Sequence, residues 1–452
     1  MAQEKIIIIG SGLVGSLLSI YLVKRGYQVA VYERRPDMRK AKISAGRSIN
    51  LALSDRGIQA LQEVGIMPDI EPIAIPMHGR FIHNADGSNA YQAYGKEGQF
   101  INSVSRGTLN AKLMDLAEQQ GVTIHFSEKC NDINWATNTV TFENTETGNQ
   151  QQVQADVIFG SDGAYAASRL AHQLQHDRFD YRQYYIDFGY KELTIPATGA
   201  GGFAMEKNAL HIWPRGNYML IALPNTDGSF TCTLFFPFEG EPSFAQLDTK
   251  EKVQAFFAEH FTDACAMMPT LAEDFFANPT SSLVTVKCFP WVRGGQFALI
   301  GDAAHAIVPF FGQGMNCGFE DCRILNGLID THQGNWEKIL AEYQQLRKPD
   351  GDAIADLALN NFIEMRDKVG DPAFLLQKKI EAWFSGKYPD KWIPAYSQVT
   401  FSPHIRYSEA LRNGQRQEAI MQQVMALPDI ENNWNSAEVE NIMLTQITKN
   451  DV

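Results

Sequence analysis

The sequence predicts an α/β protein that combines an open parallel sheet with a strand-rich second region and a helical C-terminal region. Three observations support this fold class. A buried strand, a glycine-rich turn, a helix and a second strand follow one another at the N-terminus. Residues 187–237 alternate apolar and polar side chains between Gly, Asn and Asp turns, which is typical of antiparallel strands. From about Trp336 onwards, helical patterns dominate.

The N-terminal unit consists of a strand, a helix and a second strand. The apolar run Ile6–Ile9 is expected of a strand that is buried on both faces of a sheet. We predict the helix over Leu17–Arg25 and the second strand over Val29–Tyr32. An acidic residue, Glu33, closes the second strand. This order of elements indicates a Rossmann-like βαβ unit.

Three glycines, Gly10, Gly12 and Gly15, separate the first strand from the helix at G-x-G-x-x-G spacing. In such a turn the first glycine allows the bend, the second leaves room for a pyrophosphate, and the third lets helix and strand pack closely. The helix N-terminus adds free N–H groups and a positive dipole end. Glu33 can accept hydrogen bonds from a ribose 2′-hydroxyl and would repel a 2′-phosphate. The unit is therefore predicted to bind FAD or NAD rather than NADP.

Bulk properties exclude several classes of protein. The length of 452 residues suggests two or three domains, and the formal net charge of −13 argues against a nucleic acid or an anionic membrane as partner. The apolar run Ile6–Ile9 is too short for a signal-peptide core, and no stretch approaches the roughly 18 apolar residues of a membrane span. We therefore expect a soluble, cytoplasmic protein without a signal peptide. Six scattered cysteines indicate reduced thiols and no metal site. His172 and His176 are interpreted as solvated helix residues.

Two further predicted strands end at an aspartate. Val157–Gly160 leads into Asp162, and Phe297–Ile300 leads into Asp302. An aspartate beside glycine is often only a turn residue, but at the end of a buried strand in a dinucleotide-binding chain we interpret Asp162 as a site residue. Asp302 is expected to bind a ribityl hydroxyl through its carboxylate.

The loop Pro309–Asn316 follows Asp302 closely and precedes a helix that is predicted to end near Ile329. Its two glycines form a second anion cradle. His305 is expected to be structural, because the sequence places no acid or nucleophile around it. Arg47 follows a glycine closely, and it either reaches a phosphate or a flavin edge or is an ordinary surface arginine.

Three segments carry a family resemblance: the first is the glycine-rich turn Gly10–Gly15, the second is Gly160–Gly163, and the third is Gly301–Asp302. In this order and at these separations, they resemble the fingerprints of the single-component FAD-dependent aromatic hydroxylases. Within that group, the chain is similar to the kynurenine 3-monooxygenase family in the segments Arg47–Leu53, Asn208–Pro214, Pro309–Cys317, Leu359–Met365 and Tyr396–Phe401. The resemblance is poor over about the last forty to fifty residues.

The resemblance implies an oxidoreductase of tryptophan catabolism, in the kynurenine pathway. The expected reaction is hydroxylation of L-kynurenine to 3-hydroxy-L-kynurenine with NADPH and O2 through a flavin C4a-hydroperoxide. FAD is expected to be tightly bound, NADPH to be a transient co-substrate, and no side chain to be catalytic, because the flavin does the chemistry. Two alternatives stay open: a related flavin hydroxylase of another aromatic acid, and a flavin reductase or oxidase without productive oxygenation.

The resemblance also implies which residues bind the cofactor and the substrate. The expected cofactor-binding residues are Gly10, Gly12, Leu13, Val14, Gly15, Glu33, Arg34, Arg47, Ala52, Arg106, Cys130, Asp162, Asp302, Gly312, Gly314, Met315 and Asn316. The expected substrate-binding residues are Arg80, Tyr94, Asn361, Tyr396, Phe235, Phe310, Phe311, Met365, Ile221 and Leu223. Among these, Arg80 can pair a carboxylate bidentately, and the apolar side chains can form a slot for an aromatic ring.

The domain organisation is expected to be discontinuous. Residues 1–75, 102–175 and 288–335 are predicted to form the FAD-binding domain, and residues 76–101 and 176–287 the sheet-rich substrate domain. The protein is expected to bind small molecules only and to be a monomer or a homodimer.

The C-terminal region, residues 336–452, is predicted to be helical, with breaks at Pro349, Pro372, Pro389 and Pro394.

Overall fold

The computed structural model describes residues 4–40, 50–96, 98–364 and 371–450. Two residues with a predicted role, Arg47 and Met365, lie outside these ranges. The strands are β1 (Lys5–Ile9), β2 (Gln28–Tyr32), β3 (Asn50–Leu53), β4 (Ala74–Met77), β5 (Gly79–His83), β6 (Asn89–Ala93), β7 (Ile101–Ser105), β8 (Thr123–His125), β9 (Glu128–Asn134), β10 (Thr139–Asn144), β11 (Gln150–Gln154), β12 (Val157–Gly160), β13 (Asp180–Ile195), β14 (Ala209–Pro214), β15 (Met219–Pro224), β16 (Phe230–Pro237), β17 (Ser281–Phe289), β18 (Val292–Arg293) and β19 (Phe297–Leu299).

The helices are α1 (Leu13–Lys24), α2 (Asp55–Glu63), α3 (Met67–Ile70), α4 (Arg106–Gln119), α5 (Ala167–Leu174), α6 (Lys250–His260), α7 (Thr262–Ala266), α8 (Leu271–Ala277), α9 (Asp302–His305), α10 (Gly314–Thr331), α11 (Trp336–Ile363), α12 (Pro372–Lys387), α13 (Ala395–Phe401), α14 (Tyr407–Met425), α15 (Ile430–Asn433) and α16 (Ala437–Asn450).

The first sheet brings the three sequence segments to one edge. Its strand order is β18-β19-β12-β1-β2-β8, and β1 pairs in parallel with both β12 and β2. Ile9 lies opposite Gly160 on one side and opposite Tyr32 on the other. The carboxyl ends of these strands therefore lie side by side, as is usual at the ligand-binding crevice of an open α/β sheet.

Helix α1 begins at Leu13, four residues before the predicted start at Leu17. Its N-cap is Gly12, so the first helical turn includes Gly15. Glycine is a poor helix former, and its presence hides this turn from a propensity-based prediction. The early start places the N–H groups of the first turn directly behind the glycine-rich bend.

The second sheet has seven strands in the order β17-β13-β16-β15-β14-β5-β6. Strands β5 and β14 are parallel, and the other neighbours are antiparallel. One apolar core joins this sheet to α6, α7 and α8. Another core joins it to the loop before α10 and to α11, α13 and α14. A separate three-stranded sheet has the order β3-β7-β4. The expected domain boundaries stay a prediction.

The helical C-terminal region is confirmed, but the predicted break at Pro349 is wrong. Helix α11 continues through Pro349 to Ile363. A proline inside a helix removes one hydrogen bond, and here tertiary contacts on the same turn offset that loss. Asp350, 1% exposed, accepts hydrogen bonds from Arg347 Nη1 at 3.1 Å and from Arg406 Nε at 3.1 Å.

Among the described residues, no helix combines the length and apolarity needed to cross a membrane.

Candidate functional site

The glycine-rich turn is as tight as its sequence suggests. Gly10 adopts a φ of +101°, and a Cβ on Gly15 would lie 2.1 Å from the carbonyl oxygen of Gly10. A Cβ on Gly12, in contrast, would have no heavy atom within 4 Å. The turn therefore leaves a gap in front of Gly12 and the backbone N–H groups of Leu13 and Val14, which suits a pyrophosphate.

Glu33 lies beside this turn. Its Oε2 accepts a hydrogen bond from Ser11 N at 2.9 Å, and its Oε1 accepts one from Arg35 N at 3.0 Å. Each carboxylate oxygen retains a second acceptor site, so Glu33 can still bind ribose hydroxyls. The neighbouring Arg34 is exposed.

Val14 connects the first and third segments. A Cβ on Gly301 would lie 3.0 Å from Val14 Cγ2, and a Cβ on Gly318 would lie 2.5 Å from the same atom. Gly301 has a φ of +61° and is the N-cap of α9. The prediction missed Gly318, because a single glycine inside a helical pattern carries no signal of the partner that approaches it.

Asp162 lies at the end of β12 and anchors α5. Its carboxylate accepts hydrogen bonds from Ser168 N at 3.0 Å and from the Ser168 hydroxyl. Burial raises the pKa of Asp162 and also that of the Cys130 thiol, which lies nearby on β9. Arg106 is exposed at the first position of α4.

The amide side chain of Asn316 ties the loop before α10 to the segment that precedes α2. Asn316 Oδ1 accepts a hydrogen bond from Ser54 N at 2.9 Å, and Asn316 Nδ2 donates to the carbonyl oxygens of Ala52 and Gly312, both at 2.8 Å. Gly312 has a φ of +64°, in the left-handed region that favours glycine. The structure thus brings together five predicted cofactor residues: Ala52, Gly312, Gly314, Met315 and Asn316.

Asp302 is the first residue of α9 and is half-buried. Within the described ranges, no group donates a hydrogen bond to its carboxylate. Its position after β19 places it at the same sheet edge as the glycine-rich turn. A partly buried carboxylate with free acceptors suits a hydroxyl-bearing chain such as ribityl.

Three of the predicted polar residues of the substrate site, Arg80, Tyr94 and Tyr396, form one cluster. The guanidinium carbon of Arg80 lies 4.4 Å from the ring centroid of Tyr396 and 5.3 Å from that of Tyr94. The two tyrosine rings are stacked, with centroids 5.8 Å apart. No Asp or Glu in the part of the chain that the structure describes forms an ion pair with Arg80. A half-buried cation with this environment can bind an external carboxylate.

An aromatic wall continues from this cluster towards the loop before α10. The Phe311 and Tyr396 rings are stacked at 5.6 Å, and the Phe235 and Phe310 centroids are 5.1 Å apart. Asn361 Nδ2 donates to the carbonyl oxygen of Phe310 at 2.7 Å, which fixes that loop to the end of α11.

Two aliphatic residues of the predicted slot, Ile221 and Leu223, lie two positions apart on β15, so their side chains are on the same face of the sheet. Both belong to the apolar cluster that contains Tyr94 and Tyr396. Tyr396 and Ile221 also contact the core around Phe311, so the two apolar groups are continuous.

The expectation that His172 is solvated is wrong, and so is the statement that no acid or nucleophile lies around His305, although His305 is structural as expected. His305 has both an acid and a thiol beside it, since Nε2 lies 2.6 Å from Asp321 Oδ2 and Nδ1 lies 3.9 Å from Cys317 Sγ. His172 is not solvated but 0% exposed, with its ring 5.3 Å from that of Phe297. Sequence distance hides both arrangements, because the neighbours come from other elements.

The group around His305 is a buried structural network. Asp321 Oδ2 also accepts from Gly301 N at 3.2 Å, and Arg347 Nε donates to Asp321 Oδ1 at 2.7 Å. The ligand atoms of His305, Cys317 and Asp321 lie within 4.8 Å of one another, a spacing that a metal ion could bridge. The guanidinium of Arg347 contacts both Asp321 and Cys317, so a cation already satisfies this site.

Comparison with known proteins agrees with this geometry. Residues 3–358 match the family described as "FAD binding domain". The tetrameric form of 2-methyl-3-hydroxypyridine-5-carboxylic acid oxygenase has a TM-score of 0.68 at 19% identity, over 82% of this chain and 95% of that chain. Pseudomonas aeruginosa PqsL, in complex with 2-aminobenzoylacetate, has a TM-score of 0.65 at 18% identity, over 81% and 97%. These two structures show the fold.

Curated relatives are much more similar in sequence. Kynurenine 3-monooxygenase of Flavobacterium psychrophilum is 54% identical over 97% of this chain and 97% of its own. The proteins of the same name from Myxococcus xanthus and Dictyostelium discoideum are 50% and 42% identical, over 93% and 99% of this chain and 91% and 98% of their own.

The fold, the glycine-rich turn and the family match define a FAD-dependent monooxygenase. Its relatives narrow this class further. The chain belongs to the kynurenine 3-monooxygenase family. The alignment with the Dictyostelium discoideum relative covers 99% of the chain, so it reaches into the last forty to fifty residues.

Proposed function

We propose that this chain hydroxylates L-kynurenine to 3-hydroxy-L-kynurenine, consuming NADPH, a proton and O2 and releasing NADP⁺ and water. The proposal depends chiefly on Arg80, a half-buried cation between two tyrosine rings with no acid partner among the described residues. Kynurenine carries an α-carboxylate at one end and an amino-substituted aromatic ring at the other. The names of the curated relatives support this substrate.

FAD is the cofactor, and several features of the chain fit it. Gly12 faces open space, Glu33 keeps free acceptor sites for ribose, and Asp302 has a carboxylate available for ribityl hydroxyls. When bound, FAD would supply the redox chemistry, with NADPH as the reductant and O2 as the source of the oxygen atom that enters the ring. The loop that Asn316 holds would contact the ring system of the flavin.

The amino-acid end of the substrate is assigned to Arg80, Tyr94, Asn361 and Tyr396. The guanidinium fork of Arg80 donates two parallel hydrogen bonds to the α-carboxylate, which fixes both the position and the direction of the substrate. The tyrosine hydroxyls and the Asn361 amide are proposed to bind the same end of the substrate. Burial raises the pKa of Tyr94, so its hydroxyl stays protonated and can donate.

The ring end is assigned to the apolar wall formed by Phe235, Phe310, Phe311, Ile221 and Leu223. This wall excludes water and holds the ring in one orientation, so that oxygen transfer competes with loss of the oxygen as H2O2. The ring amine of kynurenine makes the adjacent carbon electron-rich, and the chain needs no acid–base residue to activate it. Met365 is proposed for the same wall from the family resemblance alone.

The role of NADPH, the localisation and the oligomeric state are also proposed. NADPH is a transient co-substrate, and the enzyme is a cytoplasmic monomer or homodimer. Six free thiols without any disulfide support a reducing compartment. Sedimentation of the purified enzyme tests the oligomeric state, and a species larger than a dimer would contradict it.

The experiment for the substrate is a comparison of NADPH oxidation rates. The purified protein should be yellow, with a flavin spectrum, and kynurenine should stimulate its NADPH oxidation. Two aromatic acids without the amino-acid group, 4-hydroxybenzoate and salicylate, are the controls and should not stimulate it. Stimulation by salicylate but not by kynurenine would indicate a hydroxylase of another aromatic acid.

A further inference from the structure

We propose that Arg56 is a positioning residue for the substrate site, which holds α13 so that Tyr396 faces Arg80. This inference rests on the proposed function. Arg56 lies on α2, at the flavin side of the molecule, and is 1% exposed. It does not contact Arg80 or Tyr396 itself in the contacts that the described residues make, so it acts through the backbone of α13.

The guanidinium of Arg56 binds the C-terminal end of α13. Arg56 Nε donates to the Val399 carbonyl oxygen at 2.9 Å, and Nη2 donates to that of Gln398 at 3.4 Å. Nη2 also contacts the carbonyl oxygens of Ser402 and Ile405, in the turn between α13 and α14. The last carbonyls of a helix lack intrahelical partners, and a cation there also complements the helix dipole.

An acid and an aromatic ring also contact the Arg56 guanidinium. Nη1 donates to Glu320 Oε1 at 2.6 Å, and the guanidinium carbon lies 4.0 Å from the Tyr407 ring centroid. The second oxygen of Glu320 accepts from Arg347 Nη1 at 2.7 Å. Each of the three guanidinium nitrogens therefore has a partner in a buried site, which restricts the orientation of the guanidinium.

Helix α13 carries Tyr396 in its first turn. The Tyr396 ring stacks on Phe311 at 5.6 Å and on Tyr94 at 5.8 Å, and the Arg80 guanidinium lies 4.4 Å from it. Because α13 has only seven residues, a shift at its C-terminal end moves Tyr396 as well.

Glu320 connects Arg56 to the flavin side of the molecule. It lies on α10, one turn after Asn316, which holds the loop at the flavin side. Arg56 therefore fixes the position of the substrate-side helix α13 relative to the flavin-side helices α2 and α10. A lysine at position 56 could keep the charge, but its single ammonium cannot reach Glu320 and the four carbonyls together.

The test is the variant Arg56→Lys, compared with Arg25→Lys. Arg25 also makes a bidentate ion pair between two helices, through Asp330 at 2.6 Å, but far from the substrate cluster. We expect Arg56→Lys to raise the KM for kynurenine about tenfold or more, with FAD content unchanged and kcat within about twofold, whereas Arg25→Lys leaves the KM within about twofold. In a Tyr396→Ala background, Arg56→Lys should add less than about twofold, because it acts through Tyr396.

Three outcomes overturn the inference. These are an unchanged KM in Arg56→Lys, a loss of FAD that parallels the rise in KM, and a full additional effect in the Tyr396→Ala background. If Arg56→Lys does not fold, Glu320→Gln, which keeps the shape and weakens the ion pair, should raise the KM in the same direction, and an unchanged KM there overturns the inference. Absence of kynurenine-stimulated activity in the unaltered enzyme is a different result, which contradicts the proposed function itself.

Discussion

The Arg80 guanidinium lies over the Tyr396 ring, 4.4 Å from its centroid, although the two residues are on β5 and α13. Tyr94 packs against both of them. This cluster joins the sheet-rich region to the helical C-terminal region, and the aromatic wall extends from it towards the loop that Asn316 fixes. One cation thus lies at the polar end of the proposed substrate site, whose other end is apolar.

Arg80→Ala tests the polar end. Loss of a bidentate contact to the α-carboxylate should cost about 2–4 kcal/mol of binding, which raises the KM for kynurenine roughly 30- to 900-fold. FAD content should stay the same, since Arg80 is not among the predicted cofactor residues. Steady-state kinetics with a flavin absorbance measurement checks both values, and an unchanged KM would remove Arg80 from the site.

Gly12→Ala separates folding from cofactor binding. A Cβ at this position meets no atom within 4 Å, and Gly12 has a φ of −73°, which any residue adopts. The variant should therefore fold with an unchanged Tm as apoprotein, yet lose most of its FAD, because the methyl group occupies the space of the pyrophosphate. Gly15→Ala, whose Cβ would lie 2.1 Å from a carbonyl oxygen, should lower the apoprotein Tm as well. Full FAD occupancy in Gly12→Ala contradicts the assigned phosphate position.

Glu33→Arg tests the ribose contact. The substitution removes the acceptors that Ser11 N and Arg35 N now bind and puts a cation where hydroxyl groups need an acceptor. We expect FAD to dissociate during dialysis, measured as the ratio of flavin to protein absorbance. Glu71→Arg makes the same change of charge on an exposed side chain and should retain FAD. Equal retention by both variants would contradict the role of Glu33.

His172 makes the stability of the protein depend on pH. Burial lowers its pKa from 6.5 to about 4, so between these values the unfolded chain binds more protons than the folded one. The free energy of unfolding must then fall as the pH falls through this window, by at most about 1.4 kcal/mol per pH unit from this group. Between pH 7 and pH 5, His172→Leu should therefore lose about 2 kcal/mol less than the unaltered protein.

Urea unfolding at the two pH values measures this difference. His404→Gln, which changes an exposed histidine, is the control and should follow the unaltered protein. If His172→Leu shows the same loss of stability on acidification as the unaltered protein, the buried neutral histidine is not responsible for it.

The sequence predicts most accurately those elements whose structure depends on residues close together in the chain. The glycine-rich turn and the strand β1 follow from a short, continuous pattern, and the predicted strands agree with β1 and β2 within a residue. The start of α1 was missed because Gly15 lies within its first turn. The error at Pro349 has a different cause, since contacts from α14 stabilise Asp350 in the next position of the helix.

Residues that act across large sequence separations could not be predicted from the pattern. Arg56 and Glu320 are ordinary charged residues in amphipathic segments, and only the fold shows that they form a buried ion pair. The same holds for His305 and Asp321, which are on different helices. The substrate residues were found through the family resemblance, because no local pattern distinguishes Tyr94 or Tyr396 from a core tyrosine.

The most direct test is the stoichiometry of product to NADPH with kynurenine as substrate. Chromatography and mass spectrometry quantify hydroxykynurenine, while absorbance follows NADPH and a peroxidase assay follows H2O2. We expect 3-hydroxy-L-kynurenine to accumulate in near-equal amount to the NADPH consumed, in a yellow, FAD-containing preparation. NADPH consumption that yields only H2O2, or a colourless protein that does not take up added FAD, would contradict a monooxygenase that acts on kynurenine.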